Sequence, residues 1–132
     1  MDEPLKLSNE IRMGLQFLHQ GDYYQAHEYF EDAWRQTADD SREFYRALLH
    51  ISGGFYRLLQ DRPNAAQKFF SRALYWLDHF PKEYLGFDLV TIKYFLENLQ
   101  KKIDHGIPCA IILESAQSII DAIISGNQTG RL

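Results

Sequence analysis

The 132-residue sequence predicts an all-α fold, a bundle of two repeated helical hairpins followed by one or two C-terminal helices. Three observations carry that expectation. Apolar residues recur three and four apart through most of the chain, the spacing that places them on one side of a helix. Gly, Pro, Asp and Asn fall between those runs, where helices stop and start. Residues also repeat at an offset of 40: Ile11 with Ile51, Gly14 with Gly54, Leu18 with Leu58, Ala26 with Ala66, Phe30 with Phe70 and Ala33 with Ala73. A repeat confined to core and turn positions means that one supersecondary unit is used twice.

Taken in order, residues 1–7 read as a loose lead-in, with Ser8 or Asn9 as the N-cap of a first helix whose core side is Ile11, Gly14, Leu15 and Leu18. That helix is expected to end at Gln20, because Gly21 accepts the positive φ that closes a helix. The second helix runs from about Tyr23 to Thr37, with Ala26, Phe30 and Ala33 inward and Trp34 beside them. Asp39, Asp40 and Ser41 supply capping oxygens for a third helix, about Arg42 to Gln60, with Phe44, Leu48, Ile51, Phe55 and Leu58 as its core stripe. Gly53 and Gly54 sit in its middle, at a cost of about 1 kcal/mol each relative to Ala, which implies close approach of a neighbouring backbone.

The fourth helix is expected over Ala65 to Phe80, stopped by Pro81, with Ala66, Phe69, Phe70, Ala73, Leu77 and Phe80 inward. Lys82 to Asp88 reads as a loop pivoting on Gly86, and Asp88 as the cap of a fifth helix carrying Leu89, Ile92, Leu96, Leu99 and Ile103. After His105, Gly106, Ile107 and Pro108 an amphipathic sixth helix spans about Cys109 to Ser125, with Gly126 to Leu132 frayed. Its apolar side, including Ile119 and Ile123, is expected either to dock on the bundle or to form an interface with a second copy. One domain, 1–132, is expected, with its core over about 8–105.

Composition removes several function classes. With a net charge of −4 and no long stripe of Lys and Arg, nucleic acid is not an expected partner. The most apolar stretch, Ile107 to Ile124, is broken by Glu114, Gln117 and Asp121, so no membrane span is expected. The N-terminus lacks a basic start followed by an apolar run, and the single Cys109 has no disulfide partner within the chain. A cytoplasmic protein is the expectation. No Cys-x-x-Cys, phosphate-cradling glycine loop or nucleophile triad is present.

Chemistry, if there is any, concentrates on the second and third helices. His27 and Glu31 lie four apart beside the buried side of their helix, and Glu28 adds a second carboxylate. Arg46, His50 and Arg57 align along one side of the third helix. The run Gly21-Asp22-Tyr23-Tyr24-Gln25-Ala26-His27-Glu28-x-x-Glu31-x-x-Trp34-Arg35, followed by Phe44-Tyr45-Arg46-Ala47-Leu48-Leu49-His50, resembles the bacterial and plastid domain-of-unknown-function family 309. Ala47 stands where that family often has Gly, and His50 where it often has Gln. The resemblance covers roughly Ile11 to Ile103. It implies a right-handed helical bundle with a polar cluster and no established reaction. Gly21, Tyr23, Ala26, Phe30 and Ala33 are locally similar to the turn and second helix of a tetratricopeptide repeat.

Two readings of the cluster follow. In the first, His27, Glu28, Glu31, Trp34, Arg46 and His50 form a structural hydrogen-bonding group, and the protein is an interaction or scaffold module with Tyr23, Tyr24, Trp34 and Trp76 as anchors for a protein partner or a second copy. No cofactor is needed in that case. In the second, the chain is a metal-dependent hydrolase-like enzyme using His27, Glu28 and Glu31, with His27, Glu31 and His50 as ligands of a divalent metal.

Overall fold

The computed structural model describes residues 8–129, with side chains up to residue 124. Six helices and one short hairpin follow in order: α1 Asn9–His19, α2 Tyr23–Gln36, α3 Ser41–Leu59, α4 Pro63–Leu77, β1 Glu83–Tyr84, β2 Phe87–Asp88, α5 Leu89–Asp104 and α6 Cys109–Thr129. The fold is all-α, as the periodicity requires. The expected lead-in over 1–7 lies outside the described residues, as do 130–132 of the expected frayed end. α6 itself continues to Thr129, past the Ser125 boundary read from the sequence.

α3 makes its most extensive contacts with α4 and α2, so it lies between them; α6 packs on α3, α5, β2 and α1. One hydrophobic cluster joins residues from all six helices and β2. Every position of the predicted α3 stripe, Phe44, Leu48, Ile51, Phe55 and Leu58, is buried.

The repeat is real in three dimensions, and glycine explains how. A Cβ at Gly14 would stand 2.4 Å from Cε1 of Phe30; one at Gly54 would stand 2.3 Å from Cε1 of Phe70. Each hairpin thus seats a phenylalanine of its second helix in the space left by a glycine of its first. The close neighbour at Gly53 and Gly54 is an aromatic ring, not the backbone expected from the sequence. The turns repeat as well. After α1, the Gly21 and Asp22 amides donate to the carbonyls of Leu18 and Phe17; after α3, those of Asp61 and Arg62 donate to Leu58 and Arg57. Both are helix stops with a left-handed residue, Gly21 at φ 80° and Asp61 at φ 60°.

Starts differ between the copies. Asp22 caps α2 by accepting from the Gln25 amide at 3.2 Å, whereas α4 begins at Pro63, whose fixed φ suits the first turn. α4 therefore starts two residues earlier than expected, and it ends at Leu77, before Pro81 is reached. Ser8 caps α1 and Asp88 caps α5. At α3 the N-cap residue Asp40 makes no side-chain capping bond; instead Oδ1 of Asp39 accepts from both the amide and the hydroxyl of Ser41.

The segment read as a loop folds instead into an antiparallel hairpin, with Tyr84 opposite Phe87. Leu85 and Gly86 have φ of 52° and 84°, the pair of positive angles that closes a two-residue hairpin turn. The hairpin is held by rings: Phe44 on α3 lies 5.3 Å from Tyr84 and 5.2 Å from Phe87, and Phe80 lies 4.6 Å from Tyr84. Phe87 is fully buried.

The interface expectation for α6 is corrected here. Ile119 is 1% exposed and Ile123 is 0% exposed within the single chain, so both belong to its own core and neither is available to a second copy. Glu114, Gln117, Ser118 and Asp121 face outward. Among the described residues no helix is long and apolar enough to cross a membrane.

Candidate functional site

The core needs one side of α3; the opposite side carries Arg42, Glu43, Arg46, His50 and Arg57, all half-buried between α2 and α4. Spacings of three, four and seven bring these residues onto one face. α2 contributes His27 and Trp34 to this face, and α4 contributes Phe69, Arg72 and Trp76.

Arg46 is the centre of the arrangement. Its guanidinium carbon lies 4.9 Å from the centroid of Trp34 and 4.4 Å from that of Trp76, so it is shared between two indoles on different helices. Arg42 stacks on Trp34 as well, at 4.4 Å. Each such contact contributes about 0.5–1 kcal/mol when exposed and more as water is withdrawn. The two arginines share one carboxylate: Glu43 lies 2.9 Å from Arg46 Nε and 3.4 Å from Arg42 Nη1. The Arg46 contact is close but not aligned as a hydrogen bond, so it acts as an ion pair.

A second group surrounds Phe69. The His50 ring lies 5.8 Å from it, with the Arg57 and Arg72 guanidinium carbons at 5.7 and 5.9 Å. His50 Nδ1 is buried without a hydrogen-bond partner. Burial, then the charges of Arg72, Arg46 and His27, lowers the His50 pKa from 6.5 to about 4. At neutral pH its imidazole is uncharged, in a setting where every named electrostatic neighbour is basic.

The expected cluster is therefore not one network. His27 Nδ1 pairs with Glu28 Oε2 at 3.6 Å, and Glu31 with Arg35 at 3.1 Å, both within α2. Short-range partners on the same helix win because they need no agreement between helices. Trp34 and Arg46 do meet, and His50 lies near Arg46, while Arg57 bonds Gln60 of its own helix end. Among the described residues, ligand atoms of His27, Glu28 and Glu31 converge within 4.8 Å of one another. His50 stands outside that convergence, which corrects the trio of His27, Glu31 and His50.

Of the expected aromatic anchors, Trp34 and Trp76 share this face, whereas Tyr23 packs on Phe55 and Tyr24 on Tyr56. Phe69, which the sequence assigned to the core, is only half-buried and belongs to the face. Sequence reasoning missed Arg42 and Arg72. The available signal was the α4 stripe Phe69, Arg72 and Trp76 at spacings of three and four. His79, just past the end of α4, sits with its Nδ1 2.9 Å from the Tyr75 carbonyl.

Comparison with known proteins gives a family match over part of the chain and names no activity. An uncharacterised protein of Aquifex aeolicus (strain VF5) is 26% identical over 80 residues, which are 60% of this chain. The matched part spans only 24% of that relative's length. No solved structure matches. Residues 11–69, which hold both glycine-seated phenylalanine partners of the first hairpin and the His27, Glu31, Trp34, Arg46 and His50 positions, match the family described as Domain of unknown function (DUF309).

Proposed function

We propose that the chain is an interaction module, a scaffold that engages another protein through the face shared by α2, α3 and α4. The observation that carries this reading is Arg46 held between Trp34 and Trp76, with Arg42 on the same indole. Tryptophan and arginine are the residue types that dominate binding energy at interfaces, and side chains already fixed by stacking lose less freedom on binding. Two consecutive hairpins, locally similar to tetratricopeptide repeats, supply the rigid support. The reducing cytoplasm is the proposed setting, in keeping with one buried cysteine.

Affinity capture from an extract of native cells tests the assignment of the face. A protein retained by the wild type and by Glu97→Lys, on α5, but lost with Trp76→Ala supports it. Retention that survives Trp76→Ala and Arg42→Glu places the contact elsewhere.

A second reading, a metal-dependent hydrolase-like enzyme, is favoured by the convergence of His27, Glu28 and Glu31. Titration with Zn²⁺ or Mn²⁺ decides it. Stoichiometric uptake that disappears in Glu31→Gln supports a divalent site; absence of uptake by the wild type removes it.

A further inference from the structure

The α3 and α4 part of this face is basic, and the carboxylates that border it on α2, Glu28 and Glu31, are turned to His27 and Arg35. The chain as a whole carries −4, yet Arg42, Arg46, Arg57 and Arg72 gather here. Glu43 alone compensates two of them. Among the described residues Arg72 and Arg57 meet no carboxylate within ion-pair distance, and Arg57 is satisfied only by the neutral Gln60. Between these arginines lies the buried, unpartnered Nδ1 of His50. Ordinary helix-surface chemistry would interleave carboxylates, as it does at Arg35 with Glu31.

The cations are also laid on rings. Arg46 and Arg42 stack on Trp34 and Trp76, and Arg57 and Arg72 flank Phe69. Stacking holds a guanidinium by its flat side and leaves its N–H edge free to donate in the plane, the geometry that suits a carboxylate. Glu43 and Gln60 engage one nitrogen each of Arg42, Arg46 and Arg57, which leaves further N–H groups on those guanidiniums and the whole edge of Arg72 to meet a segment in which acidic and apolar side chains alternate.

Resting on the interaction reading above, we infer that the occupant of this face is an acidic protein segment, whose carboxylates bridge Arg46 and Arg72 across His50 while apolar neighbours lie on Trp34, Phe69 and Trp76. Charge complementarity selects it: the basic patch attracts the segment and repels the identical patch of another copy, which disfavours two-fold pairing through this face.

The chain has two tryptophans, and both stand at this face, so intrinsic fluorescence reports on it directly. The probe is a dodecapeptide of alternating Glu or Asp with Leu or Phe, titrated against the full chain beside its Gln and Asn counterpart and an oligothymidylate of equal length. The expected result is a saturable fluorescence change with the acidic peptide, about tenfold weaker in Arg72→Gln and with the neutral peptide. Arg72 is exposed, so its substitution leaves the fold intact, and circular dichroism confirms that.

Equal binding of the neutral peptide, or no effect of Arg72→Gln and Arg42→Gln, overturns the acidic partner and leaves the face as a binding surface. Tighter binding of the oligothymidylate, competing with the peptide, overturns it in favour of phosphate. No saturable change with any probe up to about 1 mM also overturns it. The capture experiment then decides the interaction reading on its own.

Discussion

Replacing Gly54 with alanine is expected to destabilise the protein by about 2 kcal/mol, against the helix preference of the residue introduced. In a free helix the change would gain about 1 kcal/mol. Here the new Cβ would lie 2.3 Å from Cε1, 2.7 Å from Cδ1 and 2.7 Å from Cζ of Phe70, well inside ordinary carbon contact. Phe70 cannot turn away, being fully buried and set edge-on to Phe55 at 5.6 Å. Overpacking of this kind costs about 1–3 kcal/mol, and contact with three ring atoms places it at the upper end. Urea unfolding followed by far-ultraviolet circular dichroism should show a lower midpoint with unchanged slope. Phe70→Leu should then cost less in the Gly54→Ala background than in the wild type. Gly14→Ala should behave in the same way through Phe30, at 2.4 Å. Gly53→Ala should not, since Phe69, at 2.9 Å, is half open and free to shift. Wild-type stability in Gly54→Ala, or an equal cost of Phe70→Leu in both backgrounds, would refute the reasoning.

Other expectations concern the polar groups. In His50 the folded pKa is about 4 and the unfolded value 6.5, a consequence of burial and of Arg72 from α4, Arg46 on its own helix and His27 from α2. As pH falls below 6.5 the unfolded chain gains a proton that the folded chain refuses, so stability is lost down to about pH 4. Solvent screening of the half-open ring reduces the effect to about 2 kcal/mol, measurable as the difference between wild type and His50→Gln across that window. Removing the α5 cap with Asp88→Ala should cost about 1 kcal/mol in thermal unfolding, because the Thr91 amide, now 3.2 Å from the carboxylate, loses its acceptor. Cys109 is buried, and burial followed by the nearby Asp61 carboxylate raises its pKa; labelling by a thiol reagent at neutral pH should be slow in the folded protein and fast in urea.

Helix identity was legible because periodicity and stops agreed. Ser8, Asp22 and Asp88 cap as their types dictate. The hairpin over Glu83 to Asp88 was not legible, since leucine at positive φ carries no turn signal. Its pairing is imposed by Phe44, forty or more residues earlier, whose ring packs against both Tyr84 and Phe87. α6 shows a different limit. An apolar stripe reports that a face is covered but not by what, and Ile119 and Ile123 fit a dimer pattern as well as the intrachain packing they have.

The face itself was half legible for the same reason. Spacing along one helix predicts pairs such as Glu31 with Arg35, and those form. It cannot predict that Trp34 of α2 and Trp76 of α4 arrive on either side of Arg46, because that depends on how α2 of the first hairpin and α4 of the second pack on α3. The glycine and phenylalanine pairs set that stacking. Gly54 admits Phe70, which draws α4 close along α3, and Trp76 lies six residues farther along the same helix. Repacking Phe70 should therefore disturb Trp76 at Arg46, so that a change in core packing is read out in tryptophan fluorescence at the binding face.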